Sequence, residues 1–263
     1  MLKTINNAAQ KIGLEIHPGK TEWMRNKFCR NYNIRLNNTT INQVEKYKYL
    51  GQILTINNDI QEELKNRKKS AWMGYNKLKD IMKDTNIDMK YKSDLFNTHI
   101  LPALTYASET WSTTKQEEEG LQVTQRAIER RMCNISLKDH ITNTEIRERT
   151  KVKDVVEGIY TNKRRWAGHI ARTKDNRWTK RVTEWYPRNK NRKQGRPATR
   201  WADPITKVAG KLWMRAAQNR EGWRLCDLQH WRNPSNVDTT DPSRVTRRPA
   251  LEPLSPSVIP WGL

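Results

Sequence analysis

Cysteine, long apolar runs and acidic charge are what this sequence has least of. Its three cysteines, Cys29, Cys133 and Cys226, lie far apart, and no Cys-x-x-Cys pair or Cys/His cluster occurs. That argues against a zinc knuckle or finger. An odd, sparse set of thiols suits a reducing compartment, so an intracellular protein is expected. No apolar run approaches the ~18 residues of a membrane span, so no membrane partner is expected. Met1-Leu2-Lys3-Thr4-Ile5 lacks the apolar centre of a secretory signal. At 35% hydrophobic the chain can bury a core, but a modest one for 263 residues.

What is present is positive charge. Lys and Arg outnumber Asp and Glu by 50 to 28, a net +22. Solubility needs far less, so the excess points to a polyanionic partner, nucleic acid first. The charge is uneven. Lys151 to Arg232 holds 22 Lys/Arg against 7 Asp/Glu, a net +15, and seven of the eleven Trp. Basic and aromatic residues interleaved in this way can neutralise phosphates and stack on unpaired bases. Equally, Trp166, Trp201, Trp213 and Trp223 can form the core of a helical domain poor in Leu and Phe, and at least half of them are expected to do so.

The pattern along the chain predicts an α+β, mostly α protein. Leu2, Ile5, Ala8, Ala9 and Ile12 have helical spacing, ended by Gly13. Leu14–His17 reads as a strand, Pro18-Gly19 as a turn and Lys20–Met24 as the return strand. A small hairpin is expected around Asn37-Asn38. Tyr47–Leu54, rich in aromatic and β-branched residues, reads as a strand with Gly51 marking a bulge or close backbone approach. From Asn58 or Asp59 onward the pattern is helical. One long helix carries Ile60, Leu64, Ala71, Tyr75, Leu78 and Met82 inward. A second, 89–106, puts Leu95, His99, Leu101 and Leu104 inward, with Pro102 as a possible kink site. A third, opened by Thr114, carries Leu121, Val123, Ala127, Ile128 and Met132, and Glu117-Glu118-Glu119 suits its N-terminus. Segments 144–150 and 153–173 give two more. His169 has no metal-ligand partners in sequence and reads as a hydrogen-bonded structural residue. Six prolines in the last 31 residues and no apolar period predict a disordered tail, 233–263.

Three blocks, taken in order, resemble one family. Gly13-Leu14-Glu15-Ile16-His17-Pro18-Gly19-Lys20-Thr21 is similar to motif D of a reverse transcriptase palm, and Tyr49-Leu50-Gly51 to the primer grip that follows it. Arg164-Arg165-Trp166-Ala167-Gly168-His169-Ile170-Ala171-Arg172, with Gly195-Arg196-Pro197-Ala198-Thr199-Arg200-Trp201-Ala202-Asp203 and Ala217-Gln218-Asn219-Arg220-Glu221-Gly222-Trp223, resembles the C-terminal region of non-LTR (LINE-type, RTE-like) retrotransposon endonuclease-reverse transcriptases. The resemblance covers about Leu2 to Arg232. It implies a palm remnant over 1–57, a helical thumb over 58–150, a basic Trp-rich C-terminal domain over 151–232 and the tail over 233–263.

The resemblance also implies roles. Lys20 becomes the motif D lysine near the incoming nucleotide's phosphates, offering charge and a transferable proton. Tyr49, Leu50 and Gly51 hold the primer's 3′ end. Lys65, Arg67, Lys68 and Lys69 on the thumb, and Arg164, Arg165, Arg172, Arg196 and Arg200 beyond it, contact template-primer or target DNA. Gly195-Arg196-Pro197 also has the centre of a minor-groove AT-hook, but three residues are too few to outweigh a loop. The family's Mg²⁺-binding aspartates lie in an aromatic-Ala-Asp-Asp turn just before motif D. Here no Asp precedes Asp59 and no Asp-Asp pair exists. Two-metal phosphoryl transfer needs clustered carboxylates. The expectation is therefore RNA and DNA binding without polymerisation and with no cofactor held by this chain; the alternative is a non-catalytic nucleic-acid-binding protein acting through its basic helices. The family role and Lys163-Arg164-Arg165 point to the nucleus.

Overall fold

The computed structural model describes residues 1–26, 29–30, 32–175, 177–185 and 199–225. The loop with Arg196 and the tail expected over 233–263 lie outside the described residues. The architecture is α+β and mostly α, as the pattern predicts: short strands in small sheets, then a run of helices.

Residues 1–57 hold helix α1 (Leu2–Lys11) and six short strands: β1 (Glu22–Trp23), β2 (Arg35–Leu36), β3 (Thr39–Thr40), β4 (Asn42–Gln43), β5 (Lys46–Tyr49) and β6 (Gln52–Thr55). Gly13, at φ +74°, follows α1 as expected. The hairpin at Asn37-Asn38 also forms, joining antiparallel β2 and β3 with both turn residues at positive φ. Leu14–His17 is not a strand, and Lys20–Met24 does not return along it. Pro18–Lys20 takes a 3₁₀ turn that advances the chain instead of reversing it. β1 pairs in parallel with β4, twenty residues on.

Tyr47–Leu54 is a hairpin instead of one strand. Leu50 and Gly51, at φ 48° and 84°, form its two-residue turn between antiparallel β5 and β6. Gly51 therefore serves a turn that needs left-handed backbone, not a bulge inside a strand. Leu50 lies at the tip, 76% exposed, and does not pack as strand core.

The helical body comprises α2 (Gln61–Lys77), α3 (Lys79–Lys83), α4 (Met89–Leu95), α5 (Leu101–Leu104), α6 (Lys115–Met132), α7 (Asn143–Thr150), α8 (Val155–Arg172), α9 (Trp178–Glu184), α10 (Asp203–Ala209), α11 (Trp213–Ala216) and α12 (Arg220–Leu225). Asp59 Oδ1 accepts from Gln61 N at 2.9 Å just before α2. The Thr114/Glu117 capping box opens α6. Between α4 and α5 the chain makes a π-helical turn, Phe96–Ile100. Pro102 removes a donor and crowds the carbonyl four residues back, and the wider turn absorbs both effects. The extra residue rotates the inner face, so Phe96 and Ile100 are buried and His99 is exposed. Val123 likewise points outward, 68% exposed. Buried Gln125 stands on the inner face of α6 instead. It donates to Lys153 O (2.9 Å) and accepts from Val155 N (2.7 Å), tying α6 to the start of α8.

One buried core runs from Leu64 to Trp223 and includes Tyr75, Phe96, Leu104, Trp111, Ile128, Val155, Ile159, Ile205 and Trp213. Residues on both sides of position 150 share it. The helices read as a thumb and those read as a C-terminal domain thus bury their apolar faces against each other.

Candidate nucleic-acid interface

The β5–β6 tip is pinned from two sides. Glu63, almost wholly buried, accepts from Ile53 N at 2.7 Å and from Arg67 Nε at 2.6 Å. Arg67 Nη2 donates to Gly51 O, and its guanidinium lies 4.9 Å from the Tyr106 ring centroid. Tyr106 in turn donates its hydroxyl to Leu50 O at 2.8 Å. A Cβ at Gly51 would meet that ring at 3.4 Å, so glycine serves the close approach as well as the turn. The backbone of the tip is therefore held while the Tyr49 and Leu50 side chains, 58% and 76% exposed, stay outside.

Tyr106 belongs to the α5–α6 connection, which gathers the rest of the site. Ser108 accepts from Asn162 Nδ2 (3.1 Å), Glu109 O from Trp201 Nε1 (2.6 Å), and Thr199 O from Ser112 Oγ (2.8 Å). These bonds bring α8 and the Thr199–Asp203 block against the hairpin. Between tip and helix lies a groove of about 620 Å³, lined by Tyr49, Leu50, Tyr106, Arg165, Trp166 and His169 among others. A second cavity of about 460 Å³ shares Pro102, Thr105, Asn162 and Arg165 with it and reaches Lys153 at the start of α8. The two form one trough.

Helix α8 separates the predicted basic residues into two classes. Arg164 is 7% exposed and donates to Trp223 O (3.2 Å) and Arg224 O (2.9 Å). Arg172 donates to Ala217 O at 2.9 Å. Trp223 Nε1 returns a bond to Arg164 O at 2.9 Å, and its indole rests on Gly168, where a Cβ would come within 2.8 Å of it. Both arginines, read as phosphate contacts, therefore tie α11 and α12 onto α8; the helix ends need partners for their carbonyls, and long Arg side chains supply them. Arg165 remains exposed, as does His169, read from the sequence as a hydrogen-bonded structural residue. Arg67 is likewise internal, because Glu63 and Gly51 O need its charge more than the surface does. Lys65 is exposed and bonds Glu62 at 3.1 Å; with Lys46 it holds the Glu62 carboxyl below the usual range. Lys69 is exposed, whereas Lys68 packs its ammonium beside Gly120 of α6. Lys20 is exposed on its 3₁₀ turn, and Arg200 is exposed beside α10.

Trp213 and Trp223 are core, with ring centroids 6.2 Å apart, and Trp201 packs edge-on to Trp213 at 6.3 Å. Trp166, by contrast, is 38% exposed. Beside this cluster sits Lys163, 1% exposed, with Nζ 5.9 Å from the Trp201 centroid. Burial pushes its pKa down to about 8, opposed by Glu118 and Asp203. Glu118 accepts from Tyr160 OH (2.8 Å) and Thr113 Oγ1 (2.7 Å); burial, then Glu118, raises the Tyr160 phenol well above its ordinary value.

Tyr106, Asn162 and the pairing of Trp166 with His169 are absent from the sequence reading as site residues. One signal was available: positions 162, 165, 166 and 169 are spaced i, i+3, i+4 and i+7, a single helical stripe of polar and aromatic side chains. Among the described residues no group of three His, Cys, Asp or Glu side chains comes together as a metal-holding set, and no helix is long and apolar enough to cross a membrane.

The chain is 33% identical over 240 residues to a transposon-derived protein of Caenorhabditis elegans, with 85% of this chain and 86% of that protein covered. The chain belongs to this transposon-derived family. No family model matches it, and no solved structure matches it. The likeness spans most of the chain, so the hairpin, the α5–α6 connection and α8 are to be read as parts of a transposon-derived protein.

Proposed function

We propose that this transposon-derived chain is the template- and primer-holding part of a non-LTR, RTE-like retrotransposon reverse transcriptase, binding RNA and DNA without polymerising by itself. One observation carries the reading: Tyr49-Leu50-Gly51 is a hairpin turn whose backbone is clamped by Arg67 and Tyr106, leaving two side chains free to meet a ligand. A primer grip requires such a rigid tip beside a nucleic-acid path. The net charge of +22 supports the same partner, since phosphate neutralisation by Lys and Arg is sequence-independent. Lys20 on its exposed turn suits a motif D lysine in an intact enzyme.

The donors that would hold Mg²⁺ do not fit: there is no Asp-Asp pair in the sequence and no carboxylate cluster among the described residues. No chemical step is assigned through the ion. The intact element's reaction, RNA-templated DNA synthesis from a nicked target, belongs to a fuller protein, and nuclear action follows from that role. The test is gel-shift titration with template-primer across a salt series, then addition of Mg²⁺ and nucleotides. Salt-sensitive retention without primer extension is expected. Absence of binding at low salt, or affinity indifferent to salt, would overturn the reading. Extension would instead place catalysis in this chain. The charge alone also supports a stand-alone nucleic-acid-binding protein; loss of primer-end preference with retained binding would favour it.

A further inference from the structure

We infer that the trough between the β5–β6 tip and α8 is a binding site for an unpaired nucleic-acid strand end, with Trp166 as the stacking surface and Arg165 as the phosphate contact; this rests on the function proposed above. The sequence blocks assign the hairpin tip the primer's end and Arg165 a general phosphate contact but give Trp166 no such role, and the tertiary structure is what brings tip and helix to one groove.

The geometry favours a single strand over a duplex. A groove of about 620 Å³ falls in the range of sites that take one small-molecule-sized ligand, roughly 300–1,000 Å³, which suits an unpaired nucleotide. Its walls are amphipathic in the way a base requires. The Trp166 indole, 38% exposed, lies on one side and the Tyr49 and Leu50 side chains on the other. Asn162 and His169 add polar groups to the lining. Charge is graded along the trough. Glu109 lies within the 620 Å³ groove. The far cavity holds Lys153, with Arg165 at the junction; Glu157 is its own acid. Among the described residues Arg165 forms no ion pair, whereas buried Arg67 and Arg164 are committed to internal partners. Stacking on an indole tolerates any base, and an exposed guanidinium tolerates any phosphate, so the site selects for an unpaired end and not for sequence.

The experiment compares fluorescein-labelled duplexes by anisotropy: one blunt, one with a short unpaired tail, each made in DNA and in RNA. The tail is expected to tighten binding about fivefold or more, the lower end of what one stacked base contributes. Trp166→Ala removes that increment; Trp166→Phe keeps most of it. Arg165→Ala weakens the tailed probe and lowers its salt slope by about one. Circular dichroism melts check that each variant folds. Should Trp166→Ala fail to fold, the wild-type tail increment and Arg165→Ala decide the matter. Equal affinity for blunt and tailed probes, or a tail increment that survives Trp166→Ala in folded protein, overturns the site while leaving the proposed function standing. Failure of every probe to bind at low salt ends both. The DNA and RNA arms tell which strand the trough takes.

Discussion

Residues 1–44 and residues 60–225 are built on different terms. The first region has strands of two residues paired in twos, and among the described residues its buried apolar side chains are Leu36 and Ile41, while Ile5, Ile12 and Leu14 are 50%, 72% and 60% exposed. Two-stranded sheets of this size are marginal in water. The second region buries Tyr75, Phe96, Trp111 and Leu121 almost completely, leaving the Tyr75 hydroxyl and Trp111 Nε1 without hydrogen-bond partners, and ties buried Glu63 and Gln125 to backbone amides. Cohesion therefore resides in the helices, and the groove is placed where the last hairpin is bolted onto them.

The largest effect expected from testing that contrast is at Trp223. Trp223→Ala should cost about 3–5 kcal/mol in urea denaturation, because it removes a core indole and the cover of Gly168. Ile12→Ala in the first region should stay within about 0.5 kcal/mol. Equal losses at the two positions would erase the distinction.

A pH effect comes next. Lys163 has a folded pKa of about 8, below its ordinary 10.5, because burial disfavours its charge. Both states are protonated below pH 8. Above it the folded state sheds the proton while the unfolded chain keeps it, so stability rises with pH. Between pH 8 and 9.5 the gain should be roughly 2 kcal/mol, at about 1.36 kcal/mol per pH unit. Above about pH 10 the raised Tyr160 phenol works in the opposite sense, since the unfolded chain then loses a proton that the folded one holds. Lys163→Met should flatten the rise; a flat wild-type profile would refute it.

Gly51→Ala should cost about 1–2 kcal/mol, from left-handed backbone and contact with the Tyr106 ring, and should reduce primer-end affinity more than duplex affinity. The smallest change is expected at Lys69, which is exposed on α2. Lys69→Ala should leave the melting temperature unchanged within error and lower the salt slope of binding by about one. A larger loss of stability would mean that this lysine, like Arg67, serves the fold.

Much of the fold was legible in the pattern. Thr114 announced α6, Asn37-Asn38 announced its hairpin, and at least half of Trp166, Trp201, Trp213 and Trp223 were expected inside. The errors share a cause. His99 and Val123 were placed by uninterrupted helical spacing, which a π turn and a buried glutamine override. Arg67, Arg164 and Arg172 were counted as surface charge, because composition cannot tell a cation that binds phosphate from one that caps a helix carbonyl. The candidate site was half visible: Tyr49–Gly51 drew attention, whereas along the α8 stripe Trp166 was read as a core candidate, Arg165 as a phosphate contact and His169 as a structural residue, and Asn162 was not singled out.

By itself the sequence determined the helical class, the basic excess and the hairpin at Asn37-Asn38, since period, charge and turn residues act locally. Only the tertiary structure decided which cations face water and which wall stands opposite the hairpin tip. Those depend on long-range hydrogen bonds, Tyr106 to Leu50 and Asn162 to Ser108, between residues 54 to 56 positions apart, a separation at which no local pattern carries information.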